Sequence, residues 1–401
     1  MTFTVSRRTF MKTTAATTLS AASSLKILGA NDRLRLGIIG TGDRGKYLMG
    51  QANKVGGFDW VAVCDAWDKR MDEAAGVAKQ KVSKDGDYRK LLDQKDIDGV
   101  IVATWDNMHS QITVDACHAG KDVYVEKPMT SLPMQGHDII AAARENKRII
   151  QVGMQQRSMA NFIEAKQKIV DAGLLGEVKM VRTIWNANRG YLTPVPPGME
   201  QKPAGLDWEA CLGWLPKISW DPKRYFNRFS YWDLSTGGQT GGLFVHMVDV
   251  VHWFLDLTQP LAAVAMGGIY QYDDGRDTPD NVNFILEYPQ KINVTFEATI
   301  TDLIPAGSAD IVFMGSGGRL NIFRAGYKYL PSDKNKTVGE LKGGGGAEVE
   351  PHMANWFGSM RTRKKANADE ITGHFSSMAC HIGNIAYRQK ARVEWQKEWD
   401  V

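Results

Sequence analysis

The 401-residue sequence has no apolar run near the ~20 residues that an α-helix needs to cross a bilayer. A multi-span membrane protein is therefore excluded. The 40 glycines follow no fixed period, which excludes collagen. With 43% hydrophobic and 23% charged residues, the composition is typical of a globular rather than a disordered chain. This length predicts about two domains, each with its own core.

Cysteine is scarce. The four residues Cys64, Cys117, Cys211 and Cys380 are far apart and form no C-x-x-C pair. Cys64 lies in an apolar run, which indicates a buried thiol. No disulfide framework and no zinc site can be read from this spacing.

An excess of positive charge is also missing from the body of the chain. The net charge is +4, and residues 1–30 contain four basic side chains and no acidic one. The remaining residues carry 45 basic and 45 acidic groups. Because nothing there attracts a polyanion, we expect no nucleic-acid partner.

The N-terminus has the pattern of a targeting signal. Arg7 and Arg8 are followed by Phe10, Lys12 and a weakly apolar stretch that ends near Ala30. This resembles a bacterial twin-arginine (Tat) signal; the alternative is a disordered basic terminus. The signal predicts periplasmic or other export through the Tat machinery, which carries folded proteins with their cofactor. Cleavage near Ala30 and retention as an anchor both stay open.

Residues 31–153 alternate strand-like and helix-like segments. The strand-like segments are 34–40, 60–65, 99–104, 122–126 and 148–153. Helix-like stretches such as 110–119 and 134–146 separate them. Such alternation predicts a parallel sheet covered on both faces, that is, a doubly wound α/β (Rossmann) domain.

A glycine loop follows the first strand. Its residues are Gly40, Thr41, Gly42, Asp43, Arg44 and Gly45. In this G-x-G-x-x-G pattern the first glycine allows the turn, the second admits a pyrophosphate and the third lets helix and strand pack closely. The helix that begins here offers free N–H groups to phosphates, and Arg44 can add charge. The alternative is a glycine-rich turn without a ligand.

Asp65 strengthens the dinucleotide interpretation. It ends the second strand, 20 residues after Gly45, where an acid accepts the adenosine ribose hydroxyls. A carboxylate there repels a 2′-phosphate, which favours NAD over NADP. Lys69 and Arg70 are close enough in sequence to keep NADP open.

A charged triplet, Glu126-Lys127-Pro128, follows the strand at 122–126. Ligands of parallel sheets bind outside the carboxyl ends of the strands, so this position predicts that Lys127 lies at the crevice. Pro128 stiffens the turn. The alternative is a surface Glu–Lys pair.

These motifs resemble the Gfo/Idh/MocA family of dinucleotide-dependent oxidoreductases, over most of residues 33–390. The shared pieces are the glycine loop, Thr104 with His109, the Glu126-Lys127-Pro128 triplet, Val152-Gly153, Gly173-Leu174-Leu175-Gly176-Glu177-Val178 and Met314-Gly315-Ser316-Gly317-Gly318. The resemblance implies that Glu126 and Lys127 line the cofactor site and that Lys127 lies beside the nicotinamide and the reacting hydroxyl. There it would relay a proton or stabilise an alkoxide.

Residues 154–401 form the second predicted domain, for substrate binding and oligomerisation. A helix at 159–172 precedes strands at 177–188, 281–288, 291–300, 310–314 and 320–323, and residues 351–390 look helical. Consecutive strands predict an α/β domain with a large, mostly antiparallel open sheet. Residues 190–235 are rich in Pro, Trp and Tyr, as in a substrate loop or an arm on a partner subunit. Residues 343–346 read as a flexible glycine loop.

One helix of this domain carries a second candidate. His246, Asp249 and Trp253 fall on one face at i, i+3 and i+7, where the carboxylate can orient the imidazole. The family carries a His-x-x-Asp here, with its histidine facing the nicotinamide, so His246 is the implied acid/base and substrate contact and Asp249 a second catalytic residue. Gly242 departs from the family, since many members carry an aspartate there. A metal site with His252 and a buried structural histidine are the alternatives; we expect no metal.

Other candidates are placed by the strand ends and the resemblance. Thr104 and His109 follow a strand and are expected to line the cofactor site, and Trp105 is expected to stack on adenine or close the pocket. Gln155 and Arg157 follow the strand at 148–153 and are expected to bind sugar hydroxyls.

The functional expectation is an exported NAD(P)-dependent oxidoreductase acting on a sugar, glycoside or cyclitol. Export removes the enzyme from free NAD, so we expect a tightly bound cofactor. The alternatives are a redox-assisted NAD-dependent glycosidase of the same family and a non-catalytic carbohydrate-binding protein on this fold. An open antiparallel sheet leaves a face to cover, which predicts a homo-oligomer, a dimer or tetramer.

Overall fold

The structure is a computed structural model that describes residues 33–187, 189–302, 308–332 and 339–401. The Tat-like segment at 1–30 lies outside the described residues. Asn188, the predicted end of one strand, lies outside them as well.

The first sheet has six parallel strands in the order β3-β2-β1-β4-β5-β6. They are β1 (Leu34–Ile39), β2 (Phe58–Cys64), β3 (Ser83–Asp85), β4 (Gly99–Val102), β5 (Asp122–Val125) and β6 (Ile150–Val152). The order reverses between β1 and β4, and the crevice for ligands opens at the carboxyl ends there. The doubly wound fold class is confirmed. Strand β3 was not predicted from the sequence, because its residues Ser-Lys-Asp have no apolar pattern.

Five helices cover the two faces of this sheet. They are α1 (Asp43–Val55), α2 (Asp68–Ala78), α3 (Tyr88–Leu92), α4 (Asp106–His118) and α5 (Gln135–Glu145). Helix α1 buries Leu48, Met49 and Ala52 against the sheet, at i, i+1 and i+4 along one face.

The second sheet has nine strands in the order β14-β13-β12-β11-β7-β10-β9-β8-β15. They are β7 (Val178–Asn186), β8 (Ala262–Gly268), β9 (Asn281–Tyr288), β10 (Ile292–Thr299), β11 (Ser308–Gly315), β12 (Gly318–Phe323), β13 (Gly326–Pro331), β14 (Leu341–Gly344) and β15 (Val393–Glu394). The pair β7 with β10 is parallel and the other pairs are antiparallel. The mostly antiparallel sheet is confirmed. The loop predicted at 343–346 is wrong at its start, because Gly343 and Gly344 pair with β13.

Six further α-helices follow in the second part of the described chain. They are α6 (Ala160–Ala165), α7 (Trp208–Leu212), α8 (Pro222–Phe226), α9 (Val245–Leu255), α10 (Val349–Thr362) and α11 (Glu370–Gln389). A π-helical turn, Thr240–Phe244, leads directly into α9. The stretch predicted as helical at 351–390 is thus two helices.

The aromatic segment 190–235, hereafter the arm, packs on the first domain of its own chain. Leu206 forms a β-bridge with Trp67, and the indole of Trp214 donates to the carbonyl of Asn107 at 2.5 Å. A buried apolar cluster joins the two parts; it contains Trp67, Leu206, Trp208, Leu212, Leu215, Tyr225, Tyr231 and Leu234. The arm therefore covers the edge where the parallel strands end.

Helix α10 also returns to the first sheet. Trp356 is fully buried, with its ring 5.9 Å from that of Tyr124 on β5. A β-carbon at Gly99 would lie 3.2 Å from Trp356, so a glycine on β4 lets the indole approach. The core of the first domain is thus completed by residues far along the chain.

We expect Trp356→Ala to lower the free energy of unfolding by about 3–5 kcal/mol, because it opens a large cavity in a closed core. Urea denaturation followed by far-UV circular dichroism measures the loss. Tyr191→Ala is the control: its side chain is 66% exposed, so we expect a change within about 0.5 kcal/mol. Equal losses in the two variants would contradict the packing of α10 described here.

Candidate active site

Two glycines of the loop after β1 are required by close approaches. Gly40 has φ +90°, and a β-carbon on it would lie 2.6 Å from the carbonyl oxygen of Ala103. A β-carbon on Gly45 would lie 2.1 Å from the carbonyl oxygen of Gly40. The loop therefore turns tightly and brings the start of α1 against the end of β1, as a dinucleotide-binding turn needs.

The start of α1 is open to an anion. Its N-cap is Gly42, and no side chain caps the first N–H groups, which leaves them available to phosphate oxygens. A β-carbon on Gly42 would lie 3.3 Å from Nη1 of Arg70. The Arg70 guanidinium lies over the rings of Trp67 and Tyr225, at 5.7 and 5.3 Å. The Arg70 guanidinium is thus held next to the uncapped start of α1, where a phosphate is expected to bind.

Asp65 holds the loop from the end of β2. One carboxylate oxygen accepts from the backbone N–H of Thr41 at 2.7 Å and the other from that of Trp67 at 3.0 Å. Burial raises the pKa of Asp65, while Arg70 and these N–H donors oppose the rise. The hydroxyl of Thr41 donates at 3.2 Å to the same oxygen as its N–H group, so the other oxygen, Oδ1, keeps a lone pair for a ribose hydroxyl.

These groups line a cleft of about 1010 Å³, at the upper end of the ~300–1,000 Å³ of ligand sites. The glycine loop, Asp65, Arg70 and Thr104 form one wall, and arm residues form the other: Asp207, Glu209, Ala210, Cys211, Gly213, Trp214, Lys217 and Arg228. Trp105 lines the cleft and packs edge-on against Trp208 and Tyr225. The close-packed glycines, the uncapped helix and the acid of β2 fit a dinucleotide.

A second cavity, of about 380 Å³, continues from this cleft and contains Lys127. Nζ of Lys127 donates to the carbonyl of Gly242 at 2.9 Å. Burial lowers the pKa of Lys127, while the charges of Glu126 and Asp106 oppose that shift. The carbonyl of Gly242 thus supplies an acceptor for Lys127 at the position where many family members carry an aspartate.

Arg44 pairs with Glu126 in this cavity. Nη2 of Arg44 lies 2.7 Å from Oε1 of Glu126. Burial alone would raise the pKa of Glu126, but the charges of Arg44 and Lys127 outweigh it and hold that pKa below its usual value. Arg44, expected at the phosphates, is therefore committed to the carboxylate next to Lys127, although it lines both cavities.

His246 faces the same cavity from α9. It is buried, and its Nδ1 has no hydrogen-bond partner among the described residues. Burial and the nearby charge of Lys127 lower its pKa well below 6.5, so the imidazole is neutral near pH 7. The structure thus brings Lys127 and His246, predicted from distant segments, to one cavity.

Asp249 and Arg157 lie outside this cavity. Nε of Arg157 lies 2.9 and 3.0 Å from the two oxygens of Asp249, and the hydroxyl of Ser376 donates to one of them at 3.0 Å. Burial raises the pKa of Asp249, while Arg157 and Ser376 oppose the rise. The expectation that Asp249 orients His246 is corrected: the carboxylate ties α9 to Arg157 and α11. Arg157 is held in the same ion pair and does not line the Lys127 cavity. The geometry therefore does not support its predicted contact with the substrate.

Three other predicted residues do line the Lys127 cavity. They are Thr104, His109 and Gln155. The ring nitrogens of His109 lie 2.8 Å from the carbonyl of Pro128 and 3.2 Å from that of Thr104. Nε2 of Gln155 donates to the hydroxyl of Tyr124 at 3.1 Å. Of these, Thr104 also lines the dinucleotide cleft, so it stands where the two cavities meet.

Sequence reasoning missed several residues of this cavity. Asp106 begins α4, and its carboxylate accepts from the backbone N–H of Thr236 at 3.1 Å. Arg228 comes from the arm, while Arg276 and Arg324 come from the second domain. Only Asp106 had a usable signal, since it lies two residues past Thr104 at the end of a strand.

The described part of the chain contains no group of three or more His, Cys, Asp and Glu side chains placed to hold a metal. Nε2 of His252 instead lies 2.7 Å from the hydroxyl of Tyr288. Across the same residues, no helix combines the length and apolar character needed to span a bilayer.

Comparison with known proteins gives the family context. A family model described as an oxidoreductase family with an NAD-binding Rossmann fold matches residues 34–154. A second, described as the C-terminal alpha/beta domain of an oxidoreductase family, matches residues 159–400. The inositol 2-dehydrogenase of Salmonella paratyphi B is 33% identical over 150 residues, which are 37% of this chain and 44% of that enzyme. The aligned part therefore spans less than half of this curated relative.

Two solved structures show the same fold over nearly the whole chain. Levoglucosan dehydrogenase in complex with NADH and levoglucosan has a TM-score of 0.72 at 16% identity, covering 90% of this chain and 99% of its own. The aldose-aldose oxidoreductase from Caulobacter crescentus, complexed with glycerol, has a TM-score of 0.70 at 17% identity, covering 90% and 100%. At these identities the likeness shows the fold.

We expect Asp249→Asn to lower the free energy of unfolding by about 3–5 kcal/mol, because it leaves the Arg157 guanidinium without its counter-charge. Chemical denaturation measures the loss. The control is Glu297→Gln, which breaks an exposed pair with Arg182 and is expected to cost less than about 1 kcal/mol. Unchanged stability together with lost activity would show instead that Asp249 serves the chemistry.

Proposed function

Because the chain belongs to the Gfo/Idh/MocA family of oxidoreductases, we propose that it is an NAD(P)-dependent dehydrogenase acting on a hydroxyl group of a sugar, glycoside or cyclitol. The observation that carries the proposal is the cavity shared by Lys127 and His246, which continues into the dinucleotide cleft. Two similar proteins are an inositol 2-dehydrogenase and a levoglucosan dehydrogenase. Inositol is a cyclitol and levoglucosan is an anhydrosugar, which supports a polyhydroxylated ring as substrate.

The residues of the cavity have different roles in this reaction. When bound, the nicotinamide ring supplies an acceptor for the hydride of the reacting carbon. As the free amine, Lys127 accepts the proton of the reacting hydroxyl, and the ammonium so formed stabilises the alkoxide. Neutral His246 accepts or donates a hydrogen bond without adding charge next to the ammonium. Glu126 and Asp106 supply negative charge around Lys127, and Arg44 limits that charge through its pair with Glu126.

We further propose that the cofactor is NAD and that it stays bound between turnovers. Asp65 at the end of β2 supports NAD, and Arg70 beside it keeps NADP open. The arm supports retention, because it forms one wall of the cleft and is anchored on the first domain. A ligand in this cleft is therefore enclosed by two parts of the chain.

The segment 1–30 and the outer face of the second sheet carry two more proposals. We propose that the Arg7-Arg8 signal directs export by the Tat machinery, which makes a retained cofactor useful outside the cytoplasm. We also propose a homo-oligomer, a dimer or tetramer. Large apolar side chains exposed on and beside this sheet support it, among them Met180, Met266, Tyr270 and Ile285.

We expect the protein, purified without added cofactor and then denatured, to release stoichiometric NAD(H) or NADP(H). Mass spectrometry of the supernatant identifies the dinucleotide and shows whether it carries a 2′-phosphate, which distinguishes NADP(H) from NAD(H). Release of none, with none taken up on incubation, would remove the enzyme proposal and leave a binding protein on this scaffold.

We expect Lys127→Ala to lower kcat by about 10²–10⁴-fold, because it removes the group that handles the proton, while the dinucleotide content stays unchanged. The control variant is Lys179→Ala, which changes an exposed residue of β7. Full activity in the Lys127 variant would contradict this role.

We also expect the wild-type rate of sugar oxidation to rise with pH through the pKa of Lys127, which burial places below 10.5. The reason is that a base must be unprotonated to accept the hydroxyl proton.

A further inference from the structure

The Lys127 cavity carries more positive than negative groups. Its cationic side chains are Arg44, Lys127, Arg189, Arg228, Arg276 and Arg324, and its carboxylates are Asp106, Glu126 and Glu348. A neutral sugar needs no such excess, because hydroxyl groups are bound by mixed donors and acceptors.

Three of the arginines are neutralised within the protein. Arg44 pairs with Glu126 at 2.7 Å, and Arg324 lies 3.1 Å from Glu348. Arg276 pairs with Asp274 at 2.6 Å. These pairs account for two of the three cavity carboxylates, and the third, Asp106, accepts a backbone N–H.

Arg228 has no such partner. It lies in the arm, in the turn Arg228–Ser230, at the junction of the two cavities. Its Nε is buried without a hydrogen-bond partner, and in the described part of the chain the guanidinium has no ion pair; it lies 4.3 Å over the ring of Phe229. Burial lowers the pKa of Arg228, with Asp106 opposing, as expected for a desolvated cation that lacks full counter-charge.

Arg189 adds a second cation to this cavity. It follows β7 and lines the same cavity, and no carboxylate among the described residues pairs with its guanidinium. Arg189 is exposed as a whole residue, and partial burial of its guanidinium lowers its pKa. The desolvated cation is therefore Arg228, whose buried Nε lacks a partner. Leaving it in that state is costly unless a ligand supplies the missing charge.

We propose that the substrate of this site is an anionic sugar or cyclitol, whose carboxylate or phosphate ester binds Arg228 with Arg189 contributing. The inference rests on the dehydrogenase function proposed above and names its substrate class. A guanidinium binds either group through two parallel N–H donors, which fixes orientation as well as charge. The anionic group would then hold the sugar ring with a hydroxyl toward Lys127.

Isothermal titration of the full-length protein with its dinucleotide tests this with matched probes. The neutral probes are glucose and galactose, and the anionic ones are glucuronate, galacturonate and the 6-phosphates of the two sugars. We expect at least one anionic probe to bind tenfold or more tightly than its neutral parent, with affinity that falls as salt rises. The uronates and the phosphates distinguish the two sources of charge.

Variants locate the preference. Arg228→Gln should abolish the tenfold difference with the bound dinucleotide unchanged, and Arg228→Lys should restore part of it. Arg189→Gln should reduce it. The control Arg392→Gln, in an exposed ion pair away from the site, should leave it intact. If Arg228→Gln does not fold, Arg228→Lys and Arg189→Gln carry the test.

Two results would overturn the inference. One is the absence of any anionic preference, with NADH formed from neutral sugars only; this leaves the dehydrogenase proposal standing. The other is loss of bound dinucleotide in Arg228→Gln with the sugar preference unchanged, which assigns Arg228 to the cofactor. By contrast, a protein that never binds a dinucleotide fails the proposed function itself.

Discussion

The burial of one ammonium group governs the arrangement of this site. Lys127 stands where β5 ends, half-buried in a cavity, and such a charge must be compensated locally. Glu126 and Asp106 supply negative charge, and the carbonyl of Gly242 supplies a hydrogen bond. The same positive charge helps keep His246 neutral. The lowered pKa of Lys127 thus follows from its burial, and its charge adds to the burial that keeps His246 neutral.

The second constraint is that neither domain builds the site alone. The first sheet contributes the glycine loop, Asp65 and Lys127, all at strand ends. The second domain contributes His246, and the arm lines the dinucleotide cleft and places Arg228 at its junction with the Lys127 cavity. Because a buried apolar cluster anchors the arm, one segment lines both cavities, and the two roles proposed for it depend on the same packing.

The parts of the site that the sequence predicts are those set by local rules. The glycine loop, Asp65 and Lys127 follow apolar strands, and carboxyl ends of parallel strands converge on one crevice. Helical spacing predicts that His246 and Asp249 lie on one face of the helix, but it does not predict which residues pack against that face. In the structure, Asp249 pairs with Arg157. Arg228 lies in a segment without periodicity, so no local rule leads to it. Short or polar strands such as β3 and β15 likewise lack the pattern that marks a strand.

The effect of burial on the Lys127 ammonium can be measured by titrating it. Nitrogen-15 NMR of Nζ-labelled protein resolves the lysine side chains, and the Lys127→Ala variant assigns the signal. We expect Lys127 to titrate at a clearly lower pH than the exposed lysines, because burial disfavours its charged form. A titration that coincides with that of the exposed lysines would contradict the lowered pKa of Lys127 and the proton acceptor proposed on it.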